Sequence, residues 1–147
     1  MSHSLVKIWI HLVSGTKNRA ILIPERCRKE ISDTINEILT QKGCKVRTTV
    51  TVKDHFHSLF LLSADMNIAA VVRAVKGAIS RRINREKTTG PRFAWQTGYG
   101  AFSVSESQVA AVQRYILGQE EHHRKMSYQE EYEKFMRIYY PELLPHG

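Results

Sequence analysis

Cysteine is nearly missing from this 147-residue chain, with only Cys27 and Cys44 present. They form no CxxC pair, which excludes a disulfide framework and a paired-thiol zinc site and makes a reducing cytoplasm the expected compartment. Cys27 falls on an apolar helical stripe, where a free thiol is commonly a buried packing residue. No apolar run approaches the ~20 residues of a membrane-spanning helix. The opening segment MSHSLVKIWIHLVSG interrupts its apolar residues with Lys7 and His11, unlike a signal peptide. There is no GxxxxGK[ST] loop for nucleotide phosphates and no HExxH for hydrolytic zinc. Proline is scarce, at four residues, and no low-complexity linker divides the sequence. The length suits one domain over residues 1–147, with a core at about 5–120 and a helical tail at 121–147.

Acidic residues are also few: 14 Asp and Glu face 22 Lys and Arg, for a net charge of +8. The excess is uneven. Residues 71–92 carry Arg73, Lys76, Arg81, Arg82, Arg85, Lys87 and Arg92 against Glu86 alone, a net of +6. Such a concentration fits a polyanion binder, nucleic acid first, or alternatively a solvated helix face.

Hydrophobic periodicity predicts the elements. Leu5–Val13 alternates as a strand, with Val6, Ile8, Ile10 and Leu12 on one face and Lys7, Trp9 and His11 on the other. Pro24–Lys42 has helical spacing, with Pro24 in the first turn and Gly43 just past the end. Cys44–Val52 and His55–Leu62 read as a hairpin, with Val46, Thr48, Val50 and Val52 sharing a face. Asn67–Arg85 reads as a helix capped by Asp65 or Asn67. Tyr99–Ser105 is a short strand. A last long helix, capped by Ser105 or Ser107, runs to about Gln119 and precedes an aromatic tail. The order β-α-β-β-α-β predicts an α+β, ferredoxin-like or RRM-like antiparallel sheet with helices on one face, plus a C-terminal helix.

His55-Phe56-His57 lies on the third strand. Alternation sends both imidazoles to one face and Phe56 to the other, with Phe60 and Leu62. The histidines are then expected on the open sheet face. Two imidazoles at this spacing can share a divalent metal, although an HxH triplet also arises by chance in a chain with seven histidines. On the last helix Tyr115 and Gln119 are four apart and share a face. They read either as a boundary tyrosine beside a surface glutamine, or as a nucleophile with an oxygen donor for a metal. A tyrosine hydroxyl, with its ordinary pKa near 10, needs help to attack phosphorus.

His55-Phe56-His57, Tyr115-xxx-Gln119, Val75-Lys76-Gly77-xx-Ser80 and Trp95-Gln96-xx-Tyr99 occur in an order that resembles the single-tyrosine HUH transposases of bacterial insertion sequences, including the REP-associated tyrosine transposases. Trp9 and the loop Thr16-Lys17-Asn18-Arg19 add to the likeness, which covers about residues 5–120. The resemblance implies an enzyme that cuts and rejoins single-stranded, hairpin-bearing DNA through a 5′-phosphotyrosine. Tyr115 would be the nucleophile, and His55, His57 and Gln119 the ligands of Mg²⁺ or Mn²⁺. It also implies a homodimer in which one subunit's tyrosine helix completes its partner's site. Lys17, Arg19, Arg73, Lys76, Arg81, Arg82 and Arg85 are the candidate DNA contacts. Ser58 departs from the apolar residue usual after the second histidine and needs a hydrogen-bond partner if buried. His122 and His123, about one turn beyond Gln119, are solvent-exposed or near the metal.

The main alternative is a noncatalytic nucleic-acid module of RRM-like fold. Gly98–Val104 faintly echoes a base-stacking strand, but on the fourth strand rather than the third. Such a module has no use for the two histidines, Tyr115 and Gln119.

Overall fold

The computed structural model describes residues 4–19, 23–86, 92–122 and 126–139. It contains strands β1 (Trp9–Gly15), β2 (Lys45–Thr51), β3 (His55–Leu61) and β4 (Gly100–Val104). Its helices are α1 (Glu25–Gln41), α2 (Ile68–Glu86), α3 (Val109–Leu117), α4 (Gln119–His122) and α5 (Tyr128–Tyr139). The four strands form one antiparallel sheet in the order β2-β3-β1-β4. This is the expected α+β arrangement. Among the described residues, no helix is long and apolar enough to cross a membrane.

Alternation along β1 and β3 creates two faces. Ile10, Leu12, Phe56 and Phe60 pack against Ile31, Ile35 and Leu39 of α1 and Val71, Val75 and Ile79 of α2. The opposite side of those strands carries Trp9 and Leu59, which pack with Val109 and Ile116 of α3. The basic helix α2 therefore lies across the sheet from the histidines. Their face is not open as expected: α3 crosses β2 and β3 there, and α5 brings Tyr128 and Glu131 onto His55 and His57. Helices cover both sides of the sheet.

Local chemistry sets two of the helix boundaries. Asn67 Oδ1 accepts the Ala70 amide at 2.9 Å and starts α2. Gly43 takes φ +83° just past α1, the left-handed geometry that favours glycine. Ser58 is fully buried, and its hydroxyl meets Thr49 Oγ1 at 2.8 Å.

Three expectations need correction. β1 begins at Trp9 and extends to Gly15, because its register on β3 runs from Trp9 opposite Leu61 to Gly15 opposite His55. Leu5 is left 99% exposed. In β2 the alternation does not persist, because a register shift between Val46 and Thr48 inserts an extra residue, Arg47. Val46 therefore packs with the α1/α2 cluster and Val50 with the α3 cluster. Arg47 Nε donates to Gln113 Oε1 of α3 at 2.8 Å. The last helix is also not continuous. A 3₁₀ turn (Glu106–Gln108) precedes α3, and Gly118 ends it before α4.

The tail helix is closely seated. A Cβ added to Gly15 would lie 2.5 Å from Tyr128 Cε2, too close without a shift. Gly15→Ala is expected to force α5 off the sheet at a cost of about 1–3 kcal/mol, lowering the melting temperature by several degrees. Thermal unfolding checks this; a melting curve superimposable on wild type would refute the close packing.

Candidate active site

Strand β3 delivers His55 and His57 side by side, with ring centroids 5.1 Å apart. Both are 0% exposed. Buried imidazoles need partners for their ring nitrogens. Asp54, at the start of the strand, accepts the Nδ1–H of His55 at 2.8 Å. That bond turns Nε2 of His55 toward Gln119 Oε1, 3.4 Å away. Gln119 is held in turn, its amide nitrogen donating to the Tyr115 carbonyl at 3.3 Å. Although α3 ends at Gly118, Tyr115 and Gln119 remain on one side of the polypeptide.

His57 has two close neighbours. Its Nδ1 lies 2.8 Å from His11 Nε2, and its Nε2 lies 2.8 Å from Glu131 Oε1. His11 is only 4% exposed. Burial, with a further contribution from His57, pushes its pKa down to about 3, against a smaller opposing pull from Glu131. It is neutral in the folded protein at ordinary pH.

The Tyr115 ring stands edge-on to His57, 5.8 Å between centroids. Burial raises its pKa well above the ordinary tyrosine value. The Glu131 charge and a hydrogen bond to Glu131 raise it further, while a hydrogen bond to Gln119 opposes them. Tyr128 stacks on His55 at 4.4 Å and 18°, and burial raises its pKa too.

The structure thus brings together all four residues singled out at this site: His55, His57, Tyr115 and Gln119. The sequence reading missed Glu131, Asp54 and His11. Ligand atoms of His55, His57 and Glu131 all lie within 4.8 Å of one another, so these three could hold a metal ion. Nitrogen and carboxylate oxygen donors suit a divalent first-row metal or magnesium. Glu131 is three residues from Tyr128, so both occupy one side of α5; both are buried while their neighbours Gln129 and Glu130 are exposed, a difference set by the packing of α5 and not by its own sequence. Between α3 and α5 a cavity of about 240 Å³, lined by His11, Tyr115, Glu131 and Lys134, leads to the site.

The candidate DNA contacts are spread more widely. Arg73, Arg81 and Arg85 project from α2 into solvent, and Lys17 is exposed. Two others have protein partners. Lys76 Nζ donates to the carbonyls of Gln96, Thr97 and Gly98 at 2.7, 3.5 and 3.3 Å, and its burial lowers its pKa. Arg82 bonds Glu30 and Thr34 of α1, with Glu86 at 3.5 Å. The side chains of Arg19 and His122, and residues 87 and 123, lie outside the described residues. A groove of about 600 Å³ between α2 and residues 92–99 is lined by Arg73, Lys76, Arg92 and Tyr99 among others, with no acidic side chain.

Residues 4–119 match the family model for IS200-like transposases. The ISDra2 transposase TnpA of Deinococcus radiodurans is 30% identical over 115 residues, covering 74% of this chain and 81% of that protein. A crystal structure of a Deinococcus radiodurans R1 protein assigned as a transposase superposes with a TM-score of 0.63 at 26% identity. That alignment covers 81% of this chain and 95% of the other. A REP-associated tyrosine transposase bound to a REP hairpin has a similar fold, with a TM-score of 0.64 at 13% identity, over 84% of this chain and 72% of that one. By the extent of the family match and the identity to TnpA, the chain belongs to the IS200-like transposase family.

Proposed function

We propose that this transposase cleaves and rejoins single-stranded, hairpin-bearing DNA at insertion-sequence ends, with Tyr115 as the covalent nucleophile. The observation that carries this is the Tyr115 ring, edge-on to His57 at 5.8 Å between centroids, beside the buried His55–His57 pair. In the chemistry proposed, Tyr115 Oη bonds to phosphorus while the bond from phosphorus to the 3′ oxygen breaks. The tyrosine proton leaves through neighbouring oxygen acceptors, and the departing strand takes up a proton as a 3′-hydroxyl. The other strand stays attached as a 5′-phosphotyrosine. Attack by a different 3′-hydroxyl reverses the step and joins new ends, so ATP is not required.

His55 and His57, with oxygens from Gln119 and Glu131, would hold Mg²⁺ or Mn²⁺. Such an ion, when bound, polarises the scissile phosphate as a Lewis acid. The protein's own groups do the positioning. Asp54 fixes the His55 ring, and Gln119 ties the metal-facing side to the tyrosine backbone. Within the single chain Tyr115 already stands beside its own histidines. A homodimer that completes its sites in trans would have to exchange α3, whose Val109 and Ile116 are buried in its own sheet. A base-stacking module fits less well, because Phe102 of β4 is buried and faces His11 rather than solvent.

The direct test mixes the protein with an end-labelled single strand carrying an element end, plus Mn²⁺ or Mg²⁺. A denaturant-stable adduct mapping to the peptide with Tyr115 is expected, and label on any other residue overturns the assignment.

The DNA grip is proposed for the exposed cations Lys17, Arg73, Arg81 and Arg85, with Arg92 at the groove. Removing one single-strand phosphate contact should flatten the slope of log affinity against log salt by about 0.7. Arg73→Ala and Arg92→Ala are each expected to do so. Arg82→Ala should not, because its guanidinium is already engaged by Glu30 and Thr34. Fluorescence anisotropy across a salt series checks this; equal slopes in all variants would remove the groove from the DNA path.

A further inference from the structure

We propose that His11 is a positioning residue for the metal ligand His57, fixing the ring tautomer in which Nε2 carries the lone pair. This rests on the metal-site proposal above, and concerns a residue that no motif in the sequence singled out.

The placement follows from strand register. Val13 pairs with His57, and His11 pairs with Leu59. All four side chains therefore point to the α3 side of the sheet, and His11 lies diagonal to His57 across the β1–β3 pair. Diagonal side chains on neighbouring strands lie within reach of aromatic rings. Here the two rings stack at 5.0 Å with 27° between planes, and His11 Nε2 lies 2.8 Å from His57 Nδ1.

A neutral imidazole carries one N–H and one lone pair. The nitrogen of His57 aimed at the other ligands is Nε2, 2.8 Å from Glu131 Oε1. For Nε2 to donate its lone pair to a cation, the ring proton must sit on Nδ1. That proton then needs an acceptor in a place closed to water, and His11 Nε2 is within hydrogen-bond distance of it. The same logic applies to His55, whose Nδ1–H is held by Asp54 at 2.8 Å. Each ligand imidazole thus has a partner on its far nitrogen: a carboxylate for one, a second imidazole for the other. Such partners set ring orientation and ligand basicity, and losing one typically costs 10–100-fold in metal affinity.

The experiment measures Mn²⁺ affinity and the Co²⁺ electronic spectrum in wild type, His11→Phe and His11→Gln. Phenylalanine keeps the ring volume but offers no acceptor, whereas glutamine offers a carbonyl oxygen. The expected result is about 10–100-fold weaker Mn²⁺ binding and an altered Co²⁺ spectrum for His11→Phe, with His11→Gln within a few-fold of wild type. Metal-free melting temperatures are recorded alongside, since a purely structural role would shift those without rescue by glutamine. In case His11→Phe fails to fold, ¹⁵N NMR of the Zn²⁺-loaded wild type reports the tautomer directly. A protonated Nδ1 on His57 is expected, and a protonated Nε2 overturns the proposal. Wild-type affinity in His11→Phe overturns the role of His11 alone. A wild type that binds none of these metals overturns the metal-site proposal and this one with it.

Discussion

Tyr115→Phe protein is expected to bind its DNA strand and form no covalent adduct, with strand cleavage reduced by at least about 10³-fold. The substitution removes one oxygen and little else. The ring keeps its edge-on contact with His57 and its place against the α3 cluster. Fold and DNA affinity should therefore survive, separating loss of chemistry from loss of structure. The size of the effect follows from the role: a missing nucleophile cannot be replaced by better positioning. The raised pKa of Tyr115 sharpens the expectation. Burial and Glu131 hold its hydroxyl protonated at neutral pH, so attack depends on the loaded site relieving that charge cost. Tyr128→Phe is the informative control. Among the described residues, Tyr128 is the other tyrosine stacked on the histidine pair, through His55. If adduct persists in Tyr115→Phe and vanishes in Tyr128→Phe, the nucleophile lies on α5 and the chemistry proposed here is assigned to the wrong helix.

What could be read from the sequence follows the reach of each periodicity. Alternation in His55–Leu61 separated the histidines from Phe56 and Phe60, because a strand's period of two does not depend on its neighbours. The four-residue spacing of Tyr115 and Gln119 survived the break at Gly118, because the main chain stays helical on either side of it. Alternation did not survive in β2, where one extra residue at Arg47 put Val46 and Val50 on opposite faces. Bulges depend on the partner strand and leave little mark on a single sequence. The largest omission was tertiary. Nothing in the local pattern of Tyr128–Tyr139 shows which surface it seats on, so the segment read only as an aromatic tail. Tyr128 does pack, against Gly15 and His55, and that packing carries Glu131 to His57. His11 was hidden for a related reason: its approach to His57 is fixed by the register of β1 on β3, a property of two segments 46 residues apart.

Metal affinity should divide the site's residues into two classes. His55→Ala/His57→Ala protein is expected to lose measurable Mn²⁺ binding, since the two imidazoles supply the nitrogen donors of the cluster. Unchanged affinity and cleavage in this double variant would refute the site. Glu131→Gln tests the less expected member. It keeps the shape of the side chain and removes its charge, so the three-residue set loses its anionic oxygen. Mn²⁺ affinity is expected to fall by about 10-fold or more, on the scale seen when a metal site's supporting groups are altered. The same substitution should act on Tyr115 in a predictable direction. Glu131 raises the tyrosine's pKa through its charge and its hydrogen bond, so neutralising it should bring that pKa down toward the ordinary value near 10. An ultraviolet titration of metal-free Glu131→Gln against wild type, with Tyr115→Phe identifying the relevant transition, measures this. The paired outcome is diagnostic. Weaker metal binding together with an easier tyrosine ionisation places Glu131 between the metal and the nucleophile, and loss of affinity with no movement in the tyrosine confines it to the metal. If neither changes, α5 is only a cover, and Gln119 is left as the oxygen donor beside the two histidines.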